Sequence, residues 1–104
     1  GAGALIDMAL ASEAGPGKQS PRVLLVSPAE VVESPNPFGH KFDKAIERSQ
    51  QLAPAYEEVA RDKGAAFFSA ASVATCPDTD GIHIDEAGHR ALGEALAQEI
   101  RKLI

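Results

Sequence analysis

Two short apolar runs constrain this chain more than anything else in it. Residues 22–27, Arg22-Val23-Leu24-Leu25-Val26-Ser27, are rich in aliphatic side chains and are closed by Pro28. Residues 65–69, Ala65-Ala66-Phe67-Phe68-Ser69, form the second run. Neither alternates polar with apolar, so each reads as a strand buried on both faces, the kind found in parallel sheets. Between them, Ala45, Ile46, Leu52, Ala53, Tyr56, Val59 and Ala60 recur at the spacing of an amphipathic helix over residues 42–63, which Gly64 ends. Strand, helix, strand in that order makes a parallel pair with a right-handed crossover. Pro54 lies inside the helical pattern, where it either kinks the helix or opens a second one.

The flanks extend the same plan. Leu5, Ile6, Ala9 and Leu10 give a first helix with one buried stripe, stopped by Gly15-Pro16-Gly17. After the second strand comes a loop over residues 70–80 and then a last helix. Asp85 is its natural N-cap, Glu86 suits its first turn, and Arg101 and Lys102 suit its C-terminal end. Leu92, Leu96, Ile100 and Leu103 make its apolar stripe. Helix-strand-helix-strand-helix is an α/β order. A domain of this class takes about 150 residues to cover both sheet faces, and this chain has 104. The expectation is the C-terminal half of a three-layer α/β/α sandwich with a parallel sheet. Residues 1–6 read as the middle of a helix, with no initiator Met and no basic stretch of the signal-peptide kind. An upstream segment, cut away or separately carried, is expected.

Several function classes drop out early. A net charge of −5 does not make the basic patch that a nucleic-acid groove requires. No run approaches the roughly 18 apolar residues of a membrane span. The one cysteine, Cys76, cannot close an internal disulfide, which excludes a disulfide scaffold and fits a reducing, cytoplasmic compartment.

The chemistry concentrates in Asp80-Gly81-Ile82-His83-Ile84-Asp85-Glu86-Ala87-Gly88-His89. Asp80 and His83 are three apart, in a turn, directly before a helix. A carboxylate so placed can take the proton of one ring nitrogen, fix the tautomer, and leave the other nitrogen as a general base. These are two members of a nucleophile-base-orienter triad. Asp80 can equally be the Asx-turn residue before Gly81. His83, Asp85 and His89 offer a metal-site alternative, and a turn-and-cap role without catalysis is another. Cys76 lacks the surroundings of a reactive thiol and reads as a bystander. Ser27 ends a strand but is followed by Pro28, with no nucleophile elbow. Phe38 and His40 stand in the Pro- and Gly-rich loop over residues 28–40, as candidate pocket residues or plain surface.

Asp80-Gly81-Ile82-His83-Ile84-Asp85, followed by Gly88-His89-Arg90-Ala91-Leu92-Gly93, resembles the last sequence block of the SGNH (GDSL) hydrolases. Three further stretches are similar to the bacterial arylesterase-like branch of that family. They are Val23-Leu24-Leu25-Val26-Ser27-Pro28, the helix with Ser49, Leu52, Ala53 and Tyr56, and the Phe67-Phe68 strand. The resemblance implies a three-layer sandwich and a serine ester hydrolase that needs no cofactor. It implies Asp80 as the orienting acid and His83 as the base. The family's Gly-Asp-Ser nucleophile block and its Gly-x-Asn-Asp block have no counterpart in this chain, so the nucleophile and oxyanion hole are expected upstream. The partners implied are that N-terminal segment, a small ester substrate and further copies of the protein in a homo-oligomer.

Overall fold

The computed structural model describes residues 1–35 and 43–104. Its centre is a parallel strand pair. Strand β1, Leu24–Ser27, runs beside β2, Ala66–Ser69, in the register Leu24 to Ala66 through Ser27 to Ser69. The Ala66 amide donates to the Val23 carbonyl at 2.9 Å and extends the ladder by one rung. Helix α2, Asp43–Lys63, makes the crossover and packs on both strands. It remains one continuous helix through Pro54, whose ring is exposed, so the interior proline neither splits nor ends it.

The end of α2 follows from Gly64. Its φ of +74° is open to glycine at no steric cost, and the reversal lets the Ala65 amide reach the Ala60 carbonyl at 2.8 Å. The chain then enters β2 directly. Helix α1, Ala2–Ala11, lies on α2 and is tied to its end by an ion pair of 2.6 Å between Asp7 and Lys63. Helix α3, Glu86–Leu103, starts where the sequence places it: Asp85 accepts the Gly88 amide at 2.8 Å as a side-chain N-cap, a contribution of about 1 kcal/mol. At the other end of α3, the Arg22 guanidinium donates to the Leu103 carbonyl. No described helix is long and apolar enough to cross a membrane.

The interior departs from expectation. Among the described residues the buried apolar side chains are Ile6, Ala60, Ala70, Ala74 and Cys76, of which only Ile6 is large. Leu24, Leu25, Val26, Phe67 and Phe68 are half-buried rather than enclosed on both sides. Leu5 and Ile100, expected in buried stripes, are 68% and 48% exposed. The physical reason is coverage: two strands and the helices packed on them cannot shield every face of a sheet that reads as central. The Cα radius of gyration, 15.7 Å, exceeds the roughly 13 Å of a compact chain this long.

Candidate active site

The loop that leaves β2 carries the candidate site, at the carboxyl edge of the parallel pair where open α/β sheets place their ligands. A single 3-10 turn over Ala70–Ser72 leads off the strand. The chain then buries Cys76 and closes a turn in which the Gly81 amide donates to the Pro77 carbonyl at 3.0 Å. Gly81 is required there. Its φ is +75°, and a β-carbon on it would stand 2.1 Å from the Val32 carbonyl oxygen.

Asp80 uses both of its oxygens. Oδ1 accepts the amides of Ile82 at 2.9 Å and His83 at 3.0 Å, which makes the Asx turn. Oδ2 lies 2.6 Å from His83 Nδ1. Both roles open to this residue are therefore filled at once. The backbone amide of Ile82, then the His83 ring and its amide, hold the Asp80 carboxyl down at about 2. At neutral pH Asp80 is a carboxylate and can only accept, so His83 Nδ1 carries the hydrogen, and in the neutral imidazole the lone pair lies on Nε2. The imidazole is 78% exposed, with Asp80 beneath it at 38%.

A cleft of about 570 Å³ opens beside the ring. Val26, Pro28, Ile82 and Ile84 give it apolar walls, and Tyr56 and His89 also line it. Ser27 also lines it, at zero exposure and with no hydrogen-bond partner for its hydroxyl among the described residues. Neither Ser27 nor Cys76 hydrogen-bonds His83. Burial, and next the charge of Asp80, push the Cys76 thiol up, away from the reactive thiolate form. Asp85 is occupied as an N-cap, and among the described residues no three His, Cys, Asp or Glu side chains converge as metal ligands. The metal alternative thus finds no support in the geometry. Phe38 and His40 lie outside the described residues.

Ser49 is the residue that pattern reading passes over. It is 7% exposed on α2, donates to the Ile46 carbonyl at 2.8 Å and accepts the Val31 amide at 2.9 Å. The next amide, Val32, donates to the Gly81 carbonyl at 2.9 Å, and Ser34 Oγ donates to the Asp78 carbonyl at 2.6 Å. The segment after β1 is thereby fastened to α2 on one side and to the Asp80–His83 turn on the other. Its place in the helix with Leu52, Ala53 and Tyr56, a stretch shared with the arylesterase-like branch, was the available signal.

No protein-family model and no curated protein matches the chain. Solved structures do. An aryl esterase from M. smegmatis is 37% identical over 96% of this chain, with a TM-score of 0.83. A member of a carbohydrate acetylesterase family from Sinorhizobium meliloti is 31% identical over 95%, with a TM-score of 0.84. A second acetylesterase from that organism is 29% identical over 99%, with a TM-score of 0.86. The chain spans 48%, 47% and 49% of these proteins, about half of each.

Proposed function

We propose that this chain, a segment of the SGNH (GDSL) hydrolase fold similar to the aryl esterases, supplies the base and the orienting carboxylate of a serine esterase. The observation that carries the reading is the 2.6 Å contact between Asp80 Oδ2 and His83 Nδ1 beside an open cleft at the carboxyl edge of the sheet.

The nucleophilic serine and the oxyanion donors belong to an upstream segment, which also covers the exposed sheet faces. Serine oxygen attacks the ester carbonyl while His83 Nε2 takes its proton. Asp80 stays ionised and steadies the imidazolium so formed. Backbone donors of the upstream segment bind the oxyanion, each worth about 3 kcal/mol. His83 then returns the proton to the departing alcohol, and water repeats the sequence on the acyl-enzyme. The apolar walls at Val26, Pro28 and Ile84 suit a short acyl group such as acetyl, in keeping with the aryl esterase and acetylesterases that the chain resembles.

Complementation tests this. The isolated 104-residue chain is expected to leave p-nitrophenyl acetate at background, and an upstream segment carrying Gly-Asp-Ser should restore hydrolysis. In the assembled protein His83→Ala should lower kcat by on the order of 10⁴-fold with unchanged circular dichroism. Hydrolysis by the isolated chain above the level of its His83→Ala form, or wild-type kcat in the assembled His83→Ala protein, would overturn the proposal.

A further inference from the structure

We infer that Ser49 is a positioning residue for His83, acting through the backbone of residues 31–32 and Gly81. The inference rests on the esterase reading above. A series of short contacts makes one continuous path. Ser49 Oγ is anchored to α2 through the Ile46 carbonyl and holds the Val31 amide at 2.9 Å. The neighbouring Val32 amide holds the Gly81 carbonyl at 2.9 Å. Gly81 separates Asp80 from Ile82 and is itself buried, with the Val32 carbonyl so close that its backbone has no room to shift toward it. Asp80 in turn holds His83 by both the main-chain amide and the ring, at 3.0 and 2.6 Å.

The physical need for such a path is clear from exposure. The His83 ring is 78% exposed and, among the described residues, has one side-chain partner, Asp80. Packing against its own ring therefore cannot set its position, and the base is only as well placed as the turn that carries it. The turn leaves a two-stranded sheet through a long loop. Its lateral restraint comes from the segment after β1, and among the described residues the Ser49 hydroxyl ties that segment to α2. Ser49 is 7% exposed and uses its hydroxyl both as donor and as acceptor. A serine that only bonded back to its own helix would use the donor alone.

Ser49→Ala removes the acceptor that holds Val31. Val32→Pro removes the amide that holds Gly81 and leaves the hydroxyl in place. In the assembled protein each should lower kcat on p-nitrophenyl acetate by about 10- to 100-fold, the scale of a sub-ångström to 1 Å displacement of a catalytic group. KM should stay within about twofold, because the cleft walls are untouched. Both variants should broaden or shift the downfield Nδ1–H proton resonance of His83. Ser49→Thr keeps the hydroxyl and should restore both kcat and the resonance. Wild-type kcat and an unaltered resonance in Ser49→Ala and Val32→Pro would overturn the inference. So would loss of activity in Ser49→Ala with the resonance intact, since the serine would then be acting elsewhere. His83→Ala separates the two levels of the argument. If it keeps wild-type kcat the esterase reading fails, while the resonance, which needs no catalysis, still decides whether Ser49 positions the ring.

Discussion

Two serines are buried in this chain, and they stand in opposite conditions. Ser49 donates one hydrogen bond and accepts another, and both partners belong to the chain itself. Ser27 is fully enclosed at the end of β1, and among the described residues its hydroxyl has no hydrogen-bond partner. A buried hydroxyl without a partner costs about 1–3 kcal/mol, so native chains rarely keep one. Around Ser49, the loop after β1 and the Asp80–His83 turn are closed on each other by hydrogen bonds within the chain. Around Ser27, the sheet end has half-buried aliphatic and aromatic residues and an unmet polar atom. The contrast teaches that the Asp80–His83 turn is closed by partners within this chain, whereas the end of the sheet is left open. On the esterase reading, the upstream segment supplies the partner of Ser27 along with the missing layer.

That contrast can be broken most forcefully by melting. The isolated chain is expected to lose structure gradually, with binding of a hydrophobic dye before the transition ends. With its upstream segment it should unfold in one sharp step. A sharp, cooperative melt from the isolated monomer, followed by circular dichroism, would show that the sheet needs no neighbour.

Substitution of Asp80 sharpens the local side of the comparison. Asp80→Asn keeps an oxygen for the Ile82 and His83 amides but cannot accept the Nδ1 hydrogen in its place. It should lower kcat by on the order of 10³- to 10⁴-fold with the turn intact. Asp80→Ala removes both functions, so it should lose as much activity and also lower the melting temperature. Equal melting temperatures for the two variants would mean that the Asx turn does not depend on this side chain.

A smaller effect probes the other serine. In the isolated chain Ser27→Ala should cost nothing in urea denaturation, because the hydroxyl there has no bond to lose. In the assembled protein the same change should cost about 1 kcal/mol, the net worth of one hydrogen bond. Equal behaviour in both forms would leave Ser27 without an upstream partner.

The smallest effect is on pH. The Asp80 carboxyl is held at about 2, below its ordinary value of 3.8. A depressed acid stabilises the fold above its unfolded value and loses that contribution as pH falls through the folded one. The Asp80–His83 contact should therefore be complete above about pH 4 and vanish as pH drops through about 2. A carboxyl-carbon titration by nuclear magnetic resonance reads this directly, and a midpoint near 3.8 would show that the Asx turn does not hold the charge.

Much of this was legible beforehand, for reasons that differ by element. The α3 start could be read because Asp85 and Gly88 settle it within one turn of chain. The parallel pair could be read because a single long helix between two apolar runs permits no hairpin. The Asp80–His83 contact needs only three residues of separation and a glycine between them. What escaped was longer in range. Ser49 carries no periodic signal, since its role depends on Val31, which is distant in sequence. The exposure of Leu5 and Ile100 escaped as well, because an apolar stripe shows that a face wants cover and not that cover is present in the same chain.

The single cysteine offers a clock for motions of the Asp80–His83 turn. Cys76 is 5% exposed, and both burial and the nearby Asp80 charge keep it in the unreactive thiol form. It precedes Pro77, whose carbonyl receives the Gly81 amide. An alkylating reagent can therefore reach the sulfur only when the turn lifts away from the chain beneath it. Labelling would proceed at the intrinsic rate of the exposed thiol multiplied by the fraction of time the turn is open. The rate would fall when a substrate analogue occupies the cleft, and it would count excursions of the loop too rare to see in any average position.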